Sequence, residues 1–78
     1  MGGYDLEFVL STQNSNAEFI RNSLTEFGQA LEIEQLPKNE AVKGEDFKIN
    51  ISVQDPTIVF DACAQLGRIK SVKVEERS

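Results

Sequence analysis

The chain has 78 residues, with 13 acidic side chains, 8 basic ones and no histidine, so its formal net charge is -5 at pH 7. This length allows one small domain, residues 1–78, with a single core. The acidic balance argues against binding to nucleic acid or to an anionic membrane surface, because contacts with phosphate need clustered lysine and arginine.

The residue counts also exclude several kinds of chemistry. Without histidine, the Ser-His-Asp and Cys-His catalytic arrangements are excluded. A single cysteine excludes a disulfide within the chain and, with no histidine, the usual structural zinc site. Neither glycine-rich nucleotide motif, G-x-x-x-x-G-K-S/T or G-x-G-x-x-G, is present. We therefore expect no enzyme activity, no metal and no cofactor.

The sequence also bears on the cellular location. No apolar run approaches the ~18 residues that cross a bilayer. The first residues lack a basic segment followed by an apolar one, which would indicate a signal peptide. Together with the single cysteine, which suits a reducing compartment, these features predict a cytoplasmic protein.

Residues 4–10 predict the first strand. Apolar side chains alternate with mostly polar ones, which is typical of a strand buried on one face. The predicted inward residues are Tyr4, Leu6, Phe8 and Leu10. A wholly polar loop follows, and its residues are Ser11, Thr12, Gln13, Asn14, Ser15 and Asn16.

A helix is predicted to begin directly after this loop. Ser15 and Glu18 have the spacing of a capping box, in which the Ser15 hydroxyl accepts a hydrogen bond from the Glu18 N–H and the Glu18 side chain reaches back. Apolar residues then follow at helical spacing: Ala17, Ile20, Leu24 and Phe27. Gly28 is predicted to end the helix in the left-handed conformation.

Two further strands are predicted on either side of a polar connection. Residues 30–36 alternate, and Pro37 ends the strand because proline cannot donate to a ladder. The inward residues are Leu31 and Ile33, and the outward residues are Glu32 and Glu34. Residues 38–46 indicate a hairpin connection, and residues 47–53 have the most regular alternation in the chain.

The second helix and the last strand complete the pattern. Asp55 is the predicted N-cap and Pro56 the first helical residue. An apolar stripe follows, consisting of Ile58, Val59, Ala62, Cys63 and Leu66, and Gly67 ends the helix. Because Cys63 lies within the stripe, it is predicted to be a buried thiol rather than a reactive one, which would need exposure and a nearby positive charge. Residues 69–75 predict the last strand, with Val72 and Val74 inward.

The order β-α-β-β-α-β is the ferredoxin-like pattern. With right-handed crossovers it predicts an α+β fold: a four-stranded antiparallel sheet of order 4-1-3-2 with both helices on one face. On the open face, an RNA-recognition domain would carry aromatic residues on the central strands, but this chain has carboxylates and amides. Asp5 and Glu7 would meet Lys73 on one neighbouring strand and Lys48 on the other. This indicates a solvated face or, as the alternative, a polar docking face.

The loop of residues 11–16 is the candidate ligand site. It follows a strand and opens a helix, so backbone N–H groups at the positive helix end are surrounded by hydroxyl and amide side chains. Such a place suits a carboxylate or another small anion. The alternative is a polar connection with an N-cap and no ligand.

Phe60, Lys73 and Glu75 are the candidate interface residues. Phe60 lies beside the apolar stripe of its helix, where it either fills the groove between the helices or forms an exposed contact. Lys73 and Glu75 lie on an edge strand, where Lys73 of one copy would face Glu75 of another across a two-fold axis. We therefore expect a monomer or a weak homodimer.

Three stretches resemble ACT-type regulatory domains. They are the strand of residues 6–10 with its polar helix start, Phe27-Gly28 before residues 31–36, and the run from residues 47–53 through Asp55-Pro56 and Leu66-Gly67-Arg68-Ile69 to Val72 and Val74. The resemblance spans the whole chain as a pattern of elements. It implies a domain that binds amino acids or other small ligands and pairs through its sheet or helices. The family usually has an Asp-x-Pro-Gly-like turn after the first strand, where this chain has Thr12-Gln13-Asn14-Ser15.

These observations predict a non-enzymatic, ACT-like module that binds a small ligand, such as an amino acid or another anionic metabolite, for regulation. The alternative function is a protein-interaction adaptor that uses the helix face or a sheet edge. The two differ in where binding would perturb the chain: residues 11–16 for the ligand, the second helix or an edge strand for the adaptor.

Overall fold

The computed structural model describes residues 2–13, 15–37 and 44–77. The elements in chain order are β1 (Gly3–Thr12), α1 (Ala17–Leu24), a short 3₁₀ helix (Thr25–Phe27), β2 (Gly28–Gln35), β3 (Glu45–Val53), α2 (Pro56–Leu66) and β4 (Arg68–Arg77). Most of the predicted hairpin connection, residues 38–43, lies outside the described residues.

The strands form one antiparallel sheet in the order β2-β3-β1-β4. This is the predicted order 4-1-3-2 read from the other edge. The α+β class, the four-stranded antiparallel sheet and the two helices are therefore confirmed, and the strand order is consistent with a ferredoxin-like fold.

The core lies between the two central strands and the helices. Alternate residues of β1 and β3 are buried, and they form one cluster with Ile20 and Leu24 of α1 and with Val59 and Cys63 of α2. The buried strand residues are Leu6, Phe8, Leu10, Phe47, Ile49, Ile51 and Val53. Since alternate residues of a strand share a face, both helices cover the same face of the sheet. Each large apolar side chain buried there stabilises the fold by about 1.5–3 kcal/mol.

The start and the end of α1 differ from the prediction. Asn16, not Ser15, is the N-cap, because its Oδ1 accepts a hydrogen bond from the Phe19 N–H at 2.8 Å. The helix ends at Leu24 and passes into the 3₁₀ helix. Gly28 has an extended backbone (φ −168°) and is the first residue of β2, so the left-handed stop predicted there is wrong.

The second helix begins and ends where the sequence indicates. The Asp55 carboxylate accepts a hydrogen bond from the Thr57 N–H at 3.0 Å, and Pro56 is the first helical residue. Gly67 follows the last turn, and its N–H donates to the carbonyl oxygen of Cys63 at 3.0 Å.

Both edge strands carry an irregularity that the sequence pattern does not show. The pairing of β2 with β3 shifts near Ala30, and the pairing of β4 with β1 shifts near Ser71. These residues have φ values of 53° and 54°, in the left-handed region that side chains other than glycine seldom adopt. A bulge of this kind bends the strand and interrupts its ladder.

Val72 and Val74 were predicted to point inward. The predicted face is correct for Val74, but neither side chain is buried. Val74 lies directly opposite the buried Leu6, so it is on the helix-covered face, yet Val72 and Val74 are 47% and 51% exposed. The reason is length: the 11 residues of α2 span about 16 Å, while the 10 residues of β4 span about 33 Å. A helix of this length cannot cover the whole strand.

On the open face of the sheet the predicted lysine pairs form with Glu7, whereas Asp5 has other partners. Glu7 lies 3.4 Å from the Lys48 Nζ and 3.6 Å from the Lys73 Nζ. Asp5 accepts a hydrogen bond from the Ser52 hydroxyl at 2.6 Å and pairs with Arg77 at 3.6 Å. Because these groups are partly exposed, each ion pair contributes only about 0–1 kcal/mol.

Candidate functional site

An open groove of about 800 Å³ lies where the end of β1 meets the end of α2 and the start of β4. The predicted ligand loop contributes Ser11, Thr12, Gln13 and Ser15 to its lining. Of the other two predicted residues, Asn14 lies outside the described residues, and Asn16 caps α1 and does not line the groove. The structure thus brings most of the predicted loop to one cavity.

Two glycines hold the neighbouring strands close to the end of β1. A Cβ atom on Gly67 would collide with the carbonyl oxygen of Ser11, and a Cβ atom on Gly44 would collide with that of Thr12. Gly44 also has a φ of +94°, which favours glycine. The close approach of both strands positions the loop that follows Thr12.

The Ser15 hydroxyl is the unusual group of this site. With Asn16 as the N-cap, Ser15 Oγ is buried and has no hydrogen-bond partner among the described residues. Thr12 Oγ1 lies 3.5 Å from the Ser15 carbonyl oxygen, which is a long contact for a hydroxyl donor. A buried hydroxyl without a partner costs about 1–3 kcal/mol, so a bound group that accepts its proton would recover that energy.

The first turn of α1 provides backbone donors next to this hydroxyl. The Phe19 N–H donates to the Asn16 side chain at 2.8 Å, and the Ile20 N–H donates to the Asn16 carbonyl oxygen at 3.0 Å. The N–H groups of Ala17 and Glu18 precede these, and no helical carbonyl can reach them. They lie at the positive end of the helix dipole.

Two cationic residues of β4 complete the lining, and they differ in their pairing. Lys70 lies 3.6 Å from Asp46, whose carboxylate also accepts a hydrogen bond from the Ser11 hydroxyl. Arg68 forms no ion pair within the described part of the chain. Of the two lining cations, Lys70 is therefore paired and Arg68 has no ion-pair partner among the described residues.

Neither Arg68 nor Lys70 was predicted as a site residue. The signal for them was present, because β4 is antiparallel to β1 and its first residues must lie beside the end of β1. In the register, Arg68 is directly opposite Ser11. Phe19 of α1 also lines the groove and is 54% exposed.

Cys63 lies in the core, as predicted. It is fully buried, and burial raises the pKa of its thiol from 9.0 to about 11. The thiol is therefore protonated at neutral pH, and the thiolate that would act as a nucleophile is absent. Across residues 2–13, 15–37 and 44–77, no group of acidic or cysteine side chains is arranged to hold a metal ion.

The predicted interface residues lie in two different places. Phe60 is half-buried and packs edge-to-face on Phe8, with ring centroids 5.6 Å apart and planes at 66°. Lys73 and Glu75 are exposed on β4. Lys73 pairs with Glu7 in the same chain, and Glu75 lies opposite Asp5. Their roles in an interface stay predictions.

No helix in the described ranges is long and apolar enough to cross a membrane. In comparisons with known proteins, no family model matches the chain, and no characterised protein matches it in sequence.

Proposed function

We propose that the chain is a non-enzymatic module of ferredoxin-like fold that binds a small anionic metabolite, such as an amino acid, in the groove at the end of β1. The observation that carries this proposal is the buried Ser15 hydroxyl, which has no partner among the described residues and lies in the lining of a groove that also contains Arg68. A regulatory role follows the resemblance to ACT-type domains.

The donor set suits a carboxylate. A carboxylate has two oxygens and accepts several hydrogen bonds at once. Within the lining of the groove, the Ser15 hydroxyl supplies a donor and the guanidinium of Arg68 supplies a charge-assisted one. Because the chain carries a net charge of -5, a local cation is needed to offset the repulsion of an anion.

The size of the groove also suits a small metabolite. Its volume of about 800 Å³ falls within the roughly 300–1,000 Å³ usual for ligand pockets. The exposed ring of Phe19 offers an apolar surface for the rest of the ligand. Since the groove is open, much of a bound amino acid would stay in contact with water, and the affinity would be modest.

The test is a backbone-amide NMR titration with glycine, glutamate, acetate and inorganic phosphate. We expect shifts at residues 11–13, 15–18 and 67–70. Arg68→Gln should weaken binding about tenfold, the effect of one charge-assisted hydrogen bond. Arg77→Gln is the matched control, because Arg77 lies at the other end of the same strand and does not line the groove.

A second variant separates ligand binding from folding. Ser15→Ala removes the buried hydroxyl, so it should leave the free protein as stable as before or more stable while weakening binding. Ser23→Ala is its control, since the Ser23 hydroxyl donates to the Phe19 carbonyl oxygen within α1. The proposal fails if no anion of the panel, at about 10 mM, shifts the amides of the groove.

The adaptor function is supported by a different observation. Val72 and Val74 are exposed on an edge strand, and β4 therefore offers both apolar side chains and free backbone groups to a partner.

A further inference from the structure

β4 is an edge of the sheet with an uncovered apolar part. It is the last strand in the order β2-β3-β1-β4, so one side of its backbone has no neighbouring strand. Val74 lies on the helix-covered face of the sheet, opposite Leu6. Val72 and Val74 are both about half exposed. Unpaired backbone groups beside exposed valines form a surface on which another strand can pair.

The bulge limits where such pairing is regular. Ser71 has a φ of 54°, and the register with β1 shifts at this point. From Lys73 to Arg77 the register with β1 is continuous. A second strand would therefore pair with the segment of residues 73–77, and not with the residues before it.

The charges in this segment identify the partner. On the open face the segment carries Lys73 and Glu75, one of each sign, two residues apart. In an antiparallel pair, residues directly opposite one another share a face, and opposite charges there are favourable. A second copy of the same strand presents the same two charges in reverse order.

Of the two-fold axes at Lys73, Val74 and Glu75, only one makes use of both charges. A two-fold axis at Val74 places Lys73 of each copy opposite Glu75 of the other, which gives two equivalent attractive pairs. An axis at Lys73 would place the two lysines face to face, and an axis at Glu75 would place the two glutamates face to face. Like charges directly opposite are destabilising, so these neighbouring registers are disfavoured.

We propose that β4 pairs antiparallel with β4 of a second copy of this chain, around a two-fold axis at Val74. The segment of residues 73–75 is used twice, and all of it lies within the regular register with β1. The two Val74 side chains meet on the helix-covered face. The two sheets then form one continuous eight-stranded sheet with all helices on one side.

The other edge strand, β2, does not have charges of both signs that could pair with a second copy. The outward side chains of β2 near its bulge are Glu32 and Glu34, both acidic, and Pro37 follows the strand. A second copy placed on β2 would meet only negative charge. Acidic residues and a bulge on an edge strand discourage pairing.

The experiment is sedimentation equilibrium of the whole chain from about 10 μM to 1 mM. We expect the wild type to self-associate. Lys73→Glu and Glu75→Lys should each weaken self-association at least about tenfold, because each turns two attractive pairs into two repulsive ones. Glu32→Lys on β2 is the control and should not weaken association.

An equimolar mixture of the two variants gives the decisive result. One chain then carries two acidic residues at these positions and the other two basic ones, so the mixture should associate as tightly as the wild type. Loss of the Lys73–Glu7 ion pair within the chain persists in the mixture, so restored association cannot be explained by local folding. The proposal is overturned if the wild type stays monomeric at 1 mM, if the single variants associate as the wild type does, or if the mixture fails to associate.

Discussion

The two central strands and the two edge strands of the sheet have similar sequences and different environments. Ile49 and Ile51 on β3, like Val74 on β4, alternate with polar residues and lie on the helix-covered face. The isoleucines are at most 2% exposed, and Val74 is 51% exposed. Alternation therefore determines which face a side chain occupies, and the length and position of the helices determine whether anything covers it.

The central strands and the edge strands also differ in the regularity of their pairing. β1 and β3 pair in one register from Tyr4–Val53 to Thr12–Glu45, whereas β2 and β4 each contain a bulge. A substitution that shortens a buried side chain of β1 or β3 leaves a cavity, because the surrounding structure relaxes only partly. At the edges, water can occupy the space of a removed side chain, so substitutions there should cost much less.

The largest predicted effect tests this contrast directly. Ile49→Ala should lower the free energy of unfolding by about 2–5 kcal/mol, because it leaves a cavity in the core. Val74→Ala should lower it by less than about 1 kcal/mol. Urea denaturation at low micromolar concentration, where the chain is a monomer, measures both. Equal losses would mean that β4 is buried as deeply as β3.

The helix that covers the central strands gives the second prediction. Cys63→Ser should destabilise the protein by about 1–3 kcal/mol, because it places a hydroxyl in an apolar site. Cys63→Ala is the control for the loss of volume. In the native protein the thiol should react with a maleimide only as fast as the protein unfolds. Rapid labelling without unfolding would show that this face of α2 is exposed.

The same thiol predicts how stability depends on pH. Burial raises the pKa of Cys63 from 9.0 to about 11, so the folded state holds the proton more tightly than the unfolded state. The resulting stability is fully present below pH 9 and is lost as the pH rises from about 9 to 11. The loss is on the order of 2 kcal/mol.

The measurement is urea denaturation at pH 8, 9, 10 and 11 for the wild type and for Cys63→Ala. All other ionisable groups are common to both proteins. The difference between the two proteins therefore isolates the thiol. A difference that stays constant between pH 8 and pH 11 would contradict the prediction.

The smallest effect concerns the bulges of the edge strands. Ala30 and Ser71 have positive φ values, which cost an L-residue about 1–2 kcal/mol. Ala30→Gly and Ser71→Gly should therefore leave stability unchanged or raise it by up to about 1 kcal/mol, although glycine increases the entropy of the unfolded chain. Thermal melts would show this, with Ala62→Gly in α2 as a destabilised control.

Much of the fold was predictable because local patterns carry it. The regular alternation in β1 and β3 determines their buried faces, and Asp55, Pro56 and Gly67 determine the bounds of α2. The neighbours of Glu7 followed from the strand order, and the structure contains both of its ion pairs with lysine. Four of the six predicted loop residues also line one groove.

Other features depended on contacts between elements distant in sequence. Ser15 and Asn16 are both good N-cap residues, and the local pattern could not decide which of them caps α1. The choice of Asn16 left the Ser15 hydroxyl buried and without a partner among the described residues. No local pattern marks that hydroxyl, because its isolation results from how α1 joins the end of β1.

The sequence by itself determined the order of elements, the faces of the strands and the chemical character of the loop after β1. Tertiary structure alone decided that Arg68 stands beside that loop and that Val72 and Val74 of β4 stay about half exposed. The physical reason is the range of the interactions. Periodicity and capping act within one helical turn or one strand. The burial of a strand's side chains depends on how far a helix reaches along the sheet, and the position of a charge such as that of Arg68 depends on which strands are neighbours.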